Sequence, residues 1–366
     1  MPDITQNTGP CGPRPPTPPS GSGSQQAGQA RSPARTGSSN PTRAGSLSRD
    51  GAGVRSGVGA RAAVEALREL TDRDRYLLAV LAEHQVLTAD QIARLKFTDT
   101  NTARKRLVLL TRRGILDRFR DAVRPGSQPW RYTLGPLGAA IVAAGRAQPA
   151  PRPAVHAERV LRLARSPRLG HLLGANEFFV ALAQHARHDR ATALRWWLNE
   201  TRATAACAGL ARPDGLGVWA HHQRDGELRE VAFFVEHDEG TEPIARLVAK
   251  LPGYAEAALS DGPDHRVLFW LPSTARETHL HAALARHQSQ VPVATATRQH
   301  TAAAGLDPAG PVWLIPGHTT RRHLIDLAPE QSTRGRVANL DPADVDATTT
   351  TRPRAHGAGW PEGSAA

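Results

Sequence analysis

Residues 1–60 are Gly, Pro, Ser, Ala and Arg with almost no large apolar side chain, and residues 330–366 return to similar low-complexity sequence. Neither stretch can bury enough surface to offset the entropy of ordering it, so both are expected to be disordered tails. Any folded core is thereby confined to residues 61–329. The first tail holds six arginines against Asp3 and Asp50, a surplus of four positive charges. Such a tail can hold loosely to a polyanion or serve only as a spacer.

Charge divides the remainder. The 366-residue chain carries a formal net charge of +12. Sixteen basic against nine acidic residues fall between 61 and 150, whereas 151–329 is nearly neutral at +2. A surplus concentrated in ninety residues favours nucleic acid as a partner. Lys96, Lys105 and Lys250 are the only lysines, an arginine bias typical of GC-rich coding, so not every arginine has a task. Two cysteines, Cys11 and Cys207, exclude a disulfide framework and a Cys-rich zinc module. The opening MPDITQNTGP lacks a basic segment followed by an apolar one, and the longest all-apolar run, Ala139–Ala144, is far too short to span a bilayer. The expectation is a cytoplasmic protein with no membrane partner.

Periodicity in residues 61–146 predicts three helices and a hairpin. Thr71 can cap a helix whose Tyr76, Leu77, Val80 and Leu81 form an apolar stripe. Thr88 can cap a second helix, Ala89–Leu95, and a third runs from Asn101 to Arg113 with Ala103, Leu107 and Leu110 inward. Gly114 ends it, two short strands follow at Ile115–Phe119 and Trp130–Leu134, and Pro136–Ala144 is a small apolar helix. This is the layout of a winged helix-turn-helix. Double-stranded DNA is the expected partner, with Asn101, Arg104, Lys105, Arg106 and Arg112 on the third helix and Arg118, Arg124 and Arg131 on the wing. A protein-binding adaptor of the same layout is the alternative.

After a linker at 147–166, residues 167–329 read as αβββαβ: a helix Gly170–His188, strands at Leu194–Glu200, Gly215–Ala220 and Glu227–His237, a helix Pro243–Leu259, a strand Arg266–Leu271, then a helix Ala275–His287. The third strand is apolar on both faces, which implies a sheet covered on both sides. Arg224-Asp225-Gly226 suits a three-residue hairpin loop with glycine in the left-handed position. That register sets Asp214 directly opposite Glu236, with Cβ atoms roughly 5 Å apart. Two carboxylates so placed repel unless one is protonated or a cation intervenes, and a divalent ion with oxygen ligands is one solution. A turn-capping Asp214 and a solvated Glu236 are the ordinary alternatives. No zinc-type histidine spacing and no Walker motif occurs; His171 and His237 are the histidines placed to join the acidic pair.

The string RPDG (Arg212–Gly215), followed by FFVEHDEGTE (Phe233–Glu242), Lys250 and Tyr254, resembles the replication-relaxation family of actinobacterial plasmids and mobile elements. The resemblance covers residues 70–295. That family is similar in turn to a class of conjugative relaxases with a PD-(D/E)xK nuclease core, which implies a restriction-endonuclease-like α/β domain after the winged helix, α+β overall. It implies that Asp214 and Glu236 are the catalytic acids, that Glu177 on the preceding helix joins them as a Mg²⁺ ligand, and that a lysine should stand two residues after the second acid. This chain has Asp238 there, which would repel a phosphate. Lys250 is then either a solvated helix lysine or the missing catalytic cation supplied from the next helix.

Two functions remain in view. One is a DNA-binding protein of plasmid or mobile-element replication or transfer that nicks DNA with Mg²⁺, working with replication or transfer proteins and open to homodimer formation. The other is a non-enzymatic regulator of transcription or copy number with a degenerate nuclease-like domain. A regulator that senses a small molecule has only the two-domain layout behind it.

Overall fold

The computed structural model describes residues 60–121, 128–224, 226–260, 262–287 and 290–329. Apart from Ala60, both expected tails lie outside these residues, as does the tip of the hairpin loop with Arg124.

In the N-terminal region, α1 (Ala60–Arg68) precedes the three expected helices, α2 (Asp72–His84), α3 (Ala89–Lys96) and α4 (Thr100–Arg112). Each start follows from a side-chain cap. Thr71 and Asp74 exchange side-chain-to-backbone bonds around the first turn of α2, and Thr88 and Gln91 do the same at α3. Asp99 accepts from Thr102 N–H at 2.8 Å to open α4. Gly114, at φ +70°, turns the chain into the hairpin. Its strands β2 (Leu116–Phe119) and β3 (Arg131–Leu134) pair antiparallel, and the two-residue β1 (Leu87–Thr88) joins the outer side of β3. Next, α5 (Pro136–Gly145) packs on the turn after α4 so closely that a Cβ at Gly138 would lie 2.1 Å from Ile115 O.

The segment expected as a linker contains α6 (Pro153–Ala164). Pro153 occupies the first turn, where its missing N–H costs nothing, and Val160 packs with Val86, Phe119 and Leu169. Then come α7 (Leu169–His188), β4 (Thr192–Asn199), α8 (Glu200–Ala206), β5 (Gly215–His222) and β6 (Leu228–His237). The single helix expected at 243–259 is two, α9 (Ile244–Val248) and α10 (Leu251–Leu259). Pro252 has no N–H to donate back to Val248, so the first helix stops and a second starts at Leu251. The chain continues through β7 (Arg266–Leu271), α11 (Thr274–Leu284), β8 (Val293–Thr297) and α12 (Arg298–Ala303) to a 3₁₀ turn at Leu324–Leu327.

The five strands form one mixed sheet in order β4-β5-β6-β7-β8, antiparallel up to β6 and parallel beyond it. The β5–β6 register runs from Gly215 opposite Val235 to His222 opposite Leu228, as the three-residue loop predicts. Gly226 has φ +85°. Both faces are covered, as the doubly apolar strand requires. Phe233 and Val235 pack with Phe178, Phe179 and Trp313, while Phe234 packs with Tyr254, Leu247 and Phe269. The first of these clusters continues without a break into the N-terminal region, through Leu77, Leu107 and Ile115.

Polar bonds reinforce that joint. Asn176 Nδ2 donates to Val86 O at 2.9 Å, Asn199 Nδ2 to Glu83 O at 2.6 Å, and the His84 ring stacks on Trp197 with centroids 3.7 Å apart. Burial holds His84 neutral, its pKa lowered to about 3.

Candidate functional site

Two groups of expected site residues are placed by these elements. On α4, Asn101, Arg104, Lys105 and Arg112 are exposed, on the side away from Ala103, Leu107 and Leu110. Arg106 is not with them. Its guanidinium turns inward and grips the buried carboxylate of Asp74 with two nitrogens. Burial pushes that carboxyl up, but the bonds from Arg106 and Thr71 outweigh it and leave the pKa lowered. On the hairpin, Arg131 is tied to Asp121 at 2.8 Å and to Gln128, while the guanidiniums of Arg118 and Arg120 lie 4.1 and 4.2 Å from the centre of the Trp130 ring. Stacking leaves the Arg118 and Arg120 charges in place, and Arg104, Lys105 and Arg112 give α4 an exposed positive face.

The second group lies at the end of β6. The ladder ends at Gly215 opposite Val235, and Asp214 N–H also donates to Val235 O, at 2.9 Å, so the expected Asp214–Glu236 pair is not part of the register, although the two carboxylates come together at this strand end. One Asp214 oxygen accepts from His237 N–H at 2.7 Å, and the other lies 2.8 Å from His171 Nε2. The bond from Asp214 raises the His171 pKa. Glu236 is 1% exposed, and its two oxygens accept from Lys250 Nζ and Tyr254 Oη. Burial and the Asp214 charge push the Glu236 carboxyl up, against the pull of Lys250 and Tyr254. Burial draws the Lys250 ammonium down, yet the Glu236 charge leaves it raised. The break between α9 and α10 explains why Lys250 is available: it stands at the start of α10, over the end of β6.

Glu177 is elsewhere. It receives bonds from Gln91 Nε2 at 3.1 Å and from Arg94, so it joins α7 to α3 and is not gathered with Asp214 and Glu236. The α7 residue that does reach the pair is His171. A third residue, His237, fills the space left by Gly174, where a Cβ would fall 2.2 Å from His237 Nε2. Burial and nearby Arg298 hold His237 neutral, with its pKa lowered to about 4.

Asp238, at the position where the resemblance calls for a lysine, is 4% exposed and held by the fork of Arg276, with Gly240 N–H at 3.0 Å. Its charge is matched inside the protein, which removes the repulsion toward phosphate that the sequence suggests. Nothing local in the sequence marks Arg276, thirty-eight residues away, as its partner.

Among the described residues no set of three or more His, Cys, Asp or Glu side chains is arranged to hold a metal ion. The site offers two carboxylates. Mg²⁺ is commonly held by one or two carboxylates with water and substrate phosphate completing its shell, whereas here each oxygen of Asp214 and Glu236 already has a protein partner. No helix of the described residues is long and apolar enough to cross a membrane.

Fold and site together define an α+β protein whose basic N-terminal helices are built onto a mixed sheet bearing two neighbouring acidic residues at a strand end. A family model described as replication-relaxation matches residues 78–267, more than half of the chain, and spans both regions. The chain belongs to the replication-relaxation family. No curated protein and no solved structure matches it. Membership points to a role in replication and mobile elements.

Proposed function

We propose that the protein binds double-stranded DNA of a plasmid or mobile element and nicks it during replication or transfer. In this reading residues 61–146 are a winged helix-turn-helix and 167–329 a restriction-endonuclease-like domain. The observation that carries it is the meeting of Asp214, Glu236 and Lys250 at one strand end, from two strands and a helix start.

Asp214 and Glu236 are the residues that would hold Mg²⁺. When bound, the ion neutralises charge on the scissile phosphate and favours attack by water. Lys250 supplies the fixed positive charge that Asp238 cannot. His171 and His237 N–H orient the Asp214 carboxylate, and Tyr254 fixes that of Glu236.

The test uses supercoiled plasmid from the native element with Mg²⁺ or Mn²⁺. Conversion to the open-circular form by wild type, and not by Asp214→Ala or Glu236→Ala, is the expected result. One observation favours a second reading, a non-enzymatic regulator: all four carboxylate oxygens already have protein partners. Intact plasmid in every lane, with a gel shift that survives EDTA, would select it.

DNA contact through α4 has its own signature. Arg104→Ala and Lys105→Ala should each weaken binding across sequences and lower the slope of log affinity against log salt by about 1. A slope unchanged in both variants would remove α4 from the interface.

A further inference from the structure

A cleft of about 560 Å³ opens between α7 and the turn that follows α12. It lies at the carboxyl ends of the parallel strands β7 and β8, where open sheets bind their ligands. Its volume is within the range of small-molecule pockets. Ala181, Trp270, Ala302 and Leu306 give it an apolar wall suited to a flat ring.

Two polar features mark one end. Arg298 is held by donating to Trp270 O at 3.0 Å and Asp238 O at 2.8 Å. Among the described residues its guanidinium has no direct ion pair, although the Asp238 and Glu239 charges lie near enough to act on it. Thr301, 5% exposed, has a buried hydroxyl without a hydrogen-bond partner on the cleft wall. Of the three acidic residues in the lining, Glu177 is matched by Arg94 and Asp307 by His185 at 2.7 Å, a bond that also ties the turn to α7, while Asp189 lies 3.9 Å from the same His185.

Arg298 also borders the acidic site. Its Nη1 lies 3.5 Å from His237 Nδ1, and the His237 ring is edge-on to that of His171, which holds Asp214. Two histidine rings thus connect Arg298 to Asp214.

We infer that this cleft takes one nucleoside monophosphate unit, its phosphate on Arg298 and its base against Trp270 and Ala302. The inference rests on the reading of the acidic site as one that acts on DNA. It assigns the cleft to a nucleotide next to the phosphate acted upon, and Arg298 to holding it.

The test is calorimetric titration of the full chain with dAMP, dCMP, dGMP and dTMP, beside inorganic phosphate and deoxyribose 5-phosphate. Saturable binding of nucleotides at one per chain is expected, at least tenfold tighter than either control. Arg298→Gln should weaken it at least tenfold, and Ala302→Trp, at an exposed helix position, should abolish it with the circular dichroism unchanged. No saturable binding by natively folded protein, equal affinity for phosphate alone, or full binding by Ala302→Trp would each overturn the inference. A short oligodeoxythymidylate should displace dTMP, and one that does not would overturn the assignment of the cleft to a nucleotide of the strand acted upon. Plasmid nicking without nucleotide binding would sink this inference alone, and nucleotide binding without nicking would sink the proposed nuclease alone.

Discussion

Lys250→Met should lower plasmid nicking by about 10²–10³-fold, the range seen when one preorganised donor is taken from a transition state. The substitution keeps the length and apolar stem of the side chain and removes only the ammonium. Two consequences then act together. The site loses its fixed positive charge, since Asp238 is committed to Arg276. Glu236, already pushed upward by burial and by Asp214, loses the partner that opposes that push and turns to its protonated form. Because Glu236 can neutralise itself in this way, little stability should be lost. Single-turnover nicking and urea unfolding of the same preparation check both halves. Activity within threefold of wild type would return Lys250 to the role of a solvated helix residue.

The second large effect concerns a residue that the fold withdraws from the face expected to meet DNA. Arg106→Met is expected to destabilise the protein by about 3–5 kcal/mol, as for other buried pairs that lose one member. Asp74, 1% exposed, would be left without its counter-charge. Asp74→Asn should cost less, because Arg106 is partly exposed and its charge can turn to water. The double variant should recover part of the Arg106→Met loss, since it leaves no buried charge behind. Urea unfolding of the three variants measures this. Unchanged stability with weakened DNA binding would mean that Arg106 reaches phosphate after all.

Local chemistry encodes some of these features and not others. Helix starts at Thr71, Thr88 and Asp99 are legible in the sequence because a cap depends on residues three positions apart. The β5–β6 register is legible because a short loop with a left-handed glycine fixes which residues face each other, and the count holds from His222–Leu228 back to Gly215–Val235, where the ladder ends one residue short of Asp214. The helix in the expected linker escapes a reading by composition because its surroundings are rich in proline, although Pro153 suits a first turn. Glu177 falls outside the acidic site for a reason open to arithmetic. Six residues of α-helix rotate about 600°, which sets Glu177 roughly 120° around α7 from His171. The residues that share the face of His171 are Gly174, Ala175 and Phe178. Arg106 and Asp238 elude local reasoning because their partners lie thirty-two and thirty-eight residues away, where no periodicity points.

The seam between α3 and α7 also fixes a distance. Gln91 and Arg94 clasp Glu177 and Gln184, Asn176 caps the end of α2, and an apolar core runs through the joint. A reader tethered by a loose linker would let the cutter sample many positions along the duplex. On the proposed function, the interval from bases met by α4 to a phosphate met by Asp214 would be set by packing, like the fixed gap of a caliper. Such a protein would act at a constant number of base pairs from the sequence it recognises, and lengthening the chain outside that seam would not change the count.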